Sequence, residues 1–471
     1  MGNTRKLPQI ILALFDILII NLGFGLAYTL RFGFNLPDSN LDPYIALIPY
    51  LSISALFIFY MFDLYANWRR KSIYNLMYSL VLAVLILTLF TMALTFWKRG
   101  FALPRSVMVL SAIGQIAMLS VFRSVVWYVS KRVFGRKRVL IIGRDAMDGL
   151  ALAEKFLEHD QGWFIVDGFI PENEVGSLCS KLQDIDVVLL SPDLKEKVEI
   201  INYSSQQGKE VLLVPQALEL SVFGSELQQV DDMLVLSIQS PQLSASQRLI
   251  KRSFDIVLSL GTLILISPFM LLLYVLIPLT SRGPALYKQE RLGQGGNPFK
   301  ILKFRSMKQD AEEQTGPVLA VESDPRITTI GRIIRPTRID ELPQLINVLK
   351  GDMSLVGPRP ERKYFIDQFK DQIPCYWDRL AAKPGITGLA QIMAKYSTTV
   401  EGKLRFDLMY LRSYSLFLDV KILMQTILVV LRREQANGVD IAKGQKCSED
   451  LASLFGNLTG DKERGVHPHT N

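Results

Sequence analysis

The stretch "RLIKRSFDIVLSLGTLILISPFMLLLYVLIPLTSRG", residues 248–283, decides how this chain is built. It is long and apolar enough to cross a bilayer as a helix. Ser267-Pro268 stands at its middle, however, and a proline there removes a helix hydrogen bond and kinks or breaks the helix. Basic residues flank both ends: Arg248, Lys251 and Arg252 before it, Arg282 and Lys288 after it. A crossing helix normally carries its Lys and Arg excess on one side. The symmetry predicts a re-entrant hairpin over about 254–281, broken at Ser267 and Pro268, that enters and leaves by one membrane face. Its flanking cations are expected to meet lipid headgroups.

Ahead of this run, four apolar stretches at about 7–30, 44–62, 73–97 and 106–129 each have the length of a spanning helix. The first lacks a small-residue cleavage site, so it reads as a retained helix rather than a signal peptide. Arg5 and Lys6, then Arg69, Arg70 and Lys71, then Lys131, Arg132, Arg136, Lys137 and Arg138 fall on one side of the four spans. Arg31, Lys98, Arg99 and Arg105 fall on the other, so everything after residue 130 is expected in the cytoplasm. Asp16 and Arg123 lie within spans. Asp16 is expected at a helix–helix contact, and Arg123 is expected to snorkel to the cytoplasmic end.

The 471 residues are too many for one ordinary core, and 49% of them are apolar. The net charge of +8 lies beside apolar runs, which favours anionic lipid over nucleic acid as a partner. Cys179, Cys375 and Cys447 form no C-x-x-C pair, against zinc or a disulfide framework. His159, His467 and His469 lie far from the acidic pair described below, so chemistry there must use Asp, Glu, Lys or Arg.

Residues 138–240 change character. "RVLIIG", "DVVLLS" and "EVLLVP" read as buried strands separated by helical stretches, the pattern of a parallel, doubly wound sheet. The dinucleotide fingerprint would need glycines where "GRDAMDG" has Asp145 and Asp148. Carboxylates there repel a pyrophosphate, so a Rossmann-like module without NAD is expected.

Beyond the apolar run, "RPTRIDELPQL" (335–345) sets Asp340 and Glu341 just after Arg335 and Arg338. Leu342, Leu345, Ile346 and Leu349 follow helical spacing, so a helix is expected to begin near Asp340, with Pro343 in its first turn. Asp340 would then stand near an N-cap, where the helix dipole favours a carboxylate. Adjacent helical residues point about 100° apart, so a shared-proton dyad is disfavoured; one acid as nucleophile and the other on a metal is more natural. Taken alone, the stretch fits a capped surface helix equally well. In "SLVGPRPE", Arg359 is fixed between two prolines, which suits a bidentate grip on phosphate oxygens. "FKILKFRSM" reads as an amphipathic strand with Lys300, Lys303 and Arg305 on one cationic face. "KPGITGLAQ" reads as a structural glycine turn, and "RFDLMYLRSYSLFLD" as an amphipathic membrane-surface helix with Asp407, Arg412 and Asp419 solvated.

"KFRSM", "DPRIT", "GRIIR", "IDELPQLINVLKGDMSLVGPRP", "KPGITGLAQ" and "YSLFLDVKIL" stand in the order seen in bacterial sugar transferases, the polyprenyl-phosphate sugar-1-phosphate transferases. The chain resembles the long form of that family, with the matches over about 248–430. The expected fold is a membrane α-helical bundle over 1–132 and an α/β Rossmann-like domain over 138–240. A monotopic α-rich catalytic domain with the re-entrant hairpin follows over 246–445, then a polar, disordered tail over 446–471. The resemblance implies transfer of hexose-1-phosphate, of the glucose or galactose type, from a UDP-sugar to undecaprenyl phosphate with release of UMP. That reaction initiates exopolysaccharide, capsule or O-antigen synthesis at the cytoplasmic face of the bacterial inner membrane. It further implies Asp340 as nucleophile, forming a phosphosugar-aspartyl intermediate assisted by Glu341. Magnesium (Mg2+) is expected on Asp340 and Glu341, and substrate phosphate on Arg359, with Arg335 and Lys303 as further basic positions. Expected partners are the UDP-sugar, undecaprenyl phosphate and membrane lipids but no nucleic acid; a homo-oligomer is left open. After "GLAQ" many members have N-G-R where this chain reads "IMAKYSTTVEGKLRFD", a departure that bears on which sugar is used.

Two rival readings are weaker. Membrane-bound nucleotide-sugar epimerases and dehydratases share the front half but need a Tyr-x-x-x-Lys pair, and no tyrosine here has lysine four residues later. A non-catalytic polysaccharide-assembly scaffold has no use for an intact acidic pair.

Overall fold

A computed structural model describes residues 7–33, 38–65, 72–97, 103–158, 163–223, 225–238, 241–308, 326–395 and 398–432. The tail after 446 and the loop charges Arg5, Lys6, Arg69, Arg70, Lys71, Lys98 and Arg99 lie outside these residues. The chain forms two compact units, one ending at Val214 and one starting at Pro215.

The first unit opens with α1 (Leu7–Phe32), α2 (Asp38–Met61), α3 (Ile73–Trp97) and α4 (Arg105–Phe134). All four are long and apolar enough to cross a membrane. Each buries one stripe and exposes the other: on α3, Leu76, Leu80, Val84 and Leu87 face inward while Leu85, Leu89 and Phe96 are exposed. Outward leucines suit lipid, where no water penalises them. Arg123 corrects the snorkelling expectation. It is wholly buried, ion-pairs with Asp16 across α1 and α4, and donates to the Leu64 carbonyl at 3.1 Å. An opposite charge on the facing helix removes the drive of a guanidinium to reach headgroups.

The α/β part follows: β1 (Lys137–Gly143), α5 (Ala146–Glu158), β2 (Phe164–Pro171), α6 (Leu178–Lys181), β3 (Val187–Leu190), α7 (Lys197–Gln206) and β4 (Glu210–Leu213). The sheet runs β2-β1-β3-β4, all parallel. The three strands read from sequence are β1, β3 and β4. The missed one, β2, is an edge strand whose apolar run is interrupted by Asp167 and Gly168 and whose register shifts between Val139 and Leu140 of its partner. Strand order reverses between β1 and β3, the place where such sheets bind ligands. There the Asp148 carboxylate accepts from the Ser191 hydroxyl and the Arg144 amide. Gly149 packs against Phe169 so closely that a side chain would overlap the ring.

The second unit comprises α8 (Ala217–Val222), the hairpin β5 (Glu226–Val230) and β6 (Met233–Ser237), α9 (Ala245–Thr280), the hairpin β7 (Leu286–Leu292) and β8 (Pro298–Phe304), and α10 (Gly331–Ile334). There follow α11 (Gln344–Lys350), β9 (Ser354–Val356), α12 (Lys363–Phe369), β10 (Gly385–Thr387), α13 (Leu389–Met393), α14 (Val400–Arg412) and α15 (Leu416–Arg432). Its core joins Ile301, Val348, Met353, Val356, Leu404 and Ile422.

Residues 245–280 are one continuous helix rather than two arms joined by a turn, which corrects the hairpin as drawn from sequence. The reason lies in Ser267-Pro268. Pro268 has no N–H for the Ile264 carbonyl, and the Ser267 hydroxyl donates to that carbonyl at 2.9 Å instead. Both ends of α9 are fastened to the same unit. Near its start, Lys251 and Asp255 are buried, and Arg252 donates to the Val348 and Leu349 carbonyls at the end of α11. Near its end, Leu273 and Ile277 pack with Ala285, Phe304 and Ile334. Between them Val257, Ile264, Leu265 and Leu271 are exposed, while Leu263 and Ile266 pack against the core of the unit. Lys251 and Arg252 therefore serve protein contacts rather than the headgroup contacts expected of them; Arg248 remains exposed. Arg305 is buried and donates to the Ser281 and Arg282 carbonyls at 2.7 and 2.8 Å, capping the helix where its dipole is negative.

Candidate active site

Asp340 and Glu341 stand in a one-turn 3-10 helix, Ile339–Glu341, and α11 starts only at Gln344. The expected helix start at Asp340 is thus corrected, and with it the dipole argument for that residue. Arg338, with a φ of 52° in the left-handed region, separates this turn from α10 just before the acids. Pro343 precedes α11, where its missing N–H costs nothing.

The two carboxylates meet different surroundings. Glu341 is buried, and its Oε1 accepts from Lys303 Nζ at 2.9 Å and Arg359 Nη2 at 3.0 Å. Arg338 Nη1 lies 3.9 Å from Oε2. Burial by itself would raise the Glu341 carboxyl, but Lys303, Arg359 and Arg338 outweigh it and hold the group well below the usual range. Asp340 is half-buried and takes no hydrogen bond from any described residue. Burial first, and the Glu341 charge second, push its carboxyl up to about 6, against the pull of Lys303, Arg335 and Arg359. One acid is a fixed counter-ion; the other is ionised near neutrality, thinly solvated and uncommitted.

Lys303 reaches the site from β8. Alternation along the strand puts Lys303 and Arg305 on one face and Lys300 on the other, so the single cationic face expected from sequence is corrected. The outer edge of β8 is closed by the buried Asn347 of α11, whose amide stands in for a strand. Its Oδ1 accepts from the Leu302 amide at 3.0 Å and its Nδ2 donates to the Lys300 carbonyl at 2.9 Å. Asn347→Leu should leave the buried Leu302 N–H unpaired, at about 1–3 kcal/mol, and loosen Lys303 beside it. A thermal melt equal to that of the parent protein would rule this role out.

Arg359 follows β9, which pairs in parallel with β10. A side chain on Gly357, Gly385 or Gly388 would overlap the facing backbone, so "VGP" and "KPGITG" are two halves of one close approach. Downstream, Asp407 and Asp419 are buried rather than solvated, correcting the expectation for that helix. Asp407 pairs with Arg379 at 2.9 Å and Asp419 with Lys251 at 2.6 Å. Sequence reading missed Asn347 and Arg379 and gave Lys251 to lipid headgroups; the signal available for Arg379 and Lys251 was two acids, Asp407 and Asp419, among apolar neighbours. Arg335 follows α10 and contributes charge at Asp340, while Ser267 and Pro268 belong to α9.

Among the described residues no group of three His, Cys, Asp or Glu side chains forms a cation cage. Magnesium does not need one: it takes one or two carboxylates and completes its shell with water and substrate phosphate. The open oxygens of Asp340 fit that donor set. Glu341 fits it only by giving up Lys303 or Arg359.

Residues 246–433 match the family model described as bacterial sugar transferase. The chain is 30% identical to the UDP-galactose-lipid carrier transferase of Erwinia amylovora over 477 residues, covering 91% of this chain and 98% of that protein. It is 31% identical to the UDP-glucose:undecaprenyl-phosphate glucose-1-phosphate transferase of Escherichia coli over 361 residues, 72% of this chain and 75% of the relative. A UDP-N-acetylgalactosamine-undecaprenyl-phosphate N-acetylgalactosaminephosphotransferase of Aeromonas hydrophila is 47% identical over 185 residues, 39% of this chain and 44% of that relative, so the chain spans less than half of it. Full-length coverage joins with the motif order and the acidic pair beneath its cations: the chain belongs to the bacterial sugar transferases, in their long form.

Proposed function

We propose that the protein transfers a sugar-1-phosphate from a UDP-sugar to undecaprenyl phosphate and releases UMP, through a covalent intermediate on Asp340. The observation that carries this is the contrast within the acidic pair: Glu341 is neutralised by cations, and Asp340 beside it is open. An Asp340 oxygen attacks the β-phosphorus of the UDP-sugar as the bond to the α-phosphate oxygen breaks, so UMP leaves and the phosphosugar stays on the aspartate. A phosphate oxygen of the lipid then attacks the same phosphorus and frees Asp340. Lys303, Arg335 and Arg359 supply positive charge where two polyanions must meet. Magnesium bound at Asp340 would offset further phosphate charge.

The acceptor is a lipid, and α9 suits it. A helix fastened to one protein body at both ends and apolar between them lies in one leaflet, with the site at the headgroup level where the lipid phosphate is found. The catalytic unit then belongs on the cytoplasmic face of the bacterial inner membrane, where the UDP-sugar is made. The product is a diphosphate-linked sugar on a carrier lipid, the starting point of an exopolysaccharide, capsule or O-antigen chain.

The test is UMP release by the detergent-solubilised chain with undecaprenyl phosphate, magnesium and a panel of UDP-glucose, UDP-galactose and UDP-N-acetylgalactosamine. The last belongs in the panel because relatives at 47% and 54% identity are named for it. Lipid-dependent release with one of them supports the reading; no release with any of them overturns it.

A further inference from the structure

We propose that Arg379 and Asp407 form a positioning pair that sets the direction of the Arg359 side chain by gripping the Arg359 backbone. This rests on the reading of Arg359 as a ligand of substrate phosphate.

The loop that carries Arg359 has an unusual way of being held. Pro358 and Pro360 have no N–H, so the two positions flanking Arg359 can be fixed only through their carbonyls, while further back the Gly357 amide donates to the Thr387 carbonyl at 2.9 Å. Carbonyls along the loop are met one after another. Val356 O accepts from Lys251 at 3.1 Å, Pro358 O from the Gly385 amide at 2.9 Å, and Glu361 O from the Leu292 amide at 3.1 Å. The Arg359 carbonyl itself accepts from Arg379 Nη2 at 3.2 Å.

Arg379 makes that contact from within the protein. Its side chain is 8% exposed. Nη2 also donates to Asp407 at 2.9 Å, and Nη1 donates to the Tyr376 hydroxyl at 2.8 Å. A guanidinium brought this deep carries a large desolvation cost, met here by a buried carboxylate from α14. The pair reaches the acids through Arg359: Arg379 holds the carbonyl of that residue, and the side chain of the same residue reaches Glu341, next to Asp340, at 3.0 Å. A planar fork on one side of the peptide thus fixes the tilt of a second fork on the other. Arg379 is a positioning residue, since it touches neither acid.

The variant that separates positioning from stability is Arg379→Met/Asp407→Leu. Exchanging a whole buried ion pair for apolar groups of similar volume leaves folding nearly unchanged, whereas removing one partner does not. Three proteins are compared with wild type as full chains in detergent: this double variant, Arg359→Ala, and the triple combination. The double variant should lose about 100-fold in kcat/KM for the UDP-sugar, the scale of a misplacement near 1 Å. The triple variant should be no slower than Arg359→Ala alone, because a residue acting through Arg359 has nothing left to act on. Amide hydrogen exchange of residues 354–361 should also accelerate in the double variant. Losses that multiply in the triple variant, or exchange that stays at the wild-type rate, overturn the proposal. Should the double variant fail to fold, Arg379→Lys, which keeps a cation beside Asp407 but loses the planar fork that also reaches the Arg359 carbonyl, carries the same comparison. If wild type released no UMP at all, the catalytic reading would fall, while the exchange of 354–361 would still decide whether Arg379 holds the loop.

Discussion

Asp340→Asn is expected to lose turnover by about 10⁴-fold or more, the scale seen when a covalent nucleophile is removed from a preorganised site. The same substitution should cost no stability. Asp340 has no hydrogen-bond partner among the described residues, and burial already disfavours its ionised form. An acid whose carboxyl is raised in the folded state weakens folding above that value, so a neutral amide leaves the melting temperature at pH 7.5 equal or slightly higher. Mass spectrometry after incubation with a UDP-sugar and no lipid should show a phosphosugar adduct on wild type and none on the variant. Turnover within tenfold of wild type would remove Asp340 from the mechanism.

Lys251→Ala is expected to be the most damaging single change to stability in the second unit. It would strip the cation from Asp419, which is fully buried, and leave Tyr410 as the remaining donor at 2.8 Å. Breaking a buried pair from one side costs about 3–5 kcal/mol, or roughly 6–20 °C in melting temperature for a unit of this size. Burial holds the Asp419 carboxyl above its ordinary value even with Lys251 beside it, so the intact pair adds little net stability. Lys251→Met/Asp419→Leu should therefore recover most of the loss. Equal melting of Lys251→Ala and wild type would show that α9 is held by its apolar contacts alone.

Much of this arrangement was legible in the sequence, and the misses share a cause. Four long apolar helices, three of the four parallel strands and the meeting of Lys303 and Arg359 with the acidic pair follow from local patterns: apolar length, strand spacing and motif order. What sequence could not supply was the partner across space. Arg123 read as a snorkelling residue because Asp16 lies 107 positions away. Asp407 and Asp419 read as solvated because the cations that pair with them come from distant elements, Arg379 of the 3-10 turn Tyr376–Ala381 and Lys251 of α9. Nothing in the sequence around Asn347 says that its amide closes a strand. The turn at Ile339–Glu341 was masked by leucines at helical spacing, and the left-handed Arg338 that ends the helical run has a side chain that gives no warning of it. Ser267-Pro268 was read as a break because the hydroxyl that repairs the ladder was counted with the proline rather than against it.

With α9 placed in one leaflet, as proposed, the second unit has a relation to lipid unlike that of the first. Helices that span must match the distance between two headgroup layers, and each ångström of mismatch costs a fraction of a kcal/mol. A helix pinned to one body at Lys251 and at Ile277 has no second layer to reach. Longer acyl chains or a stiffer, sterol-rich bilayer would load α1 to α4 and leave the depth of Asp340 unaltered. The lipid phosphate that Asp340 meets in the proposed reaction is tied to the near surface as well. On the proposed mechanism, nucleophile and acceptor then share one plane of reference, and the enzyme follows the surface of the membrane while remaining blind to its thickness.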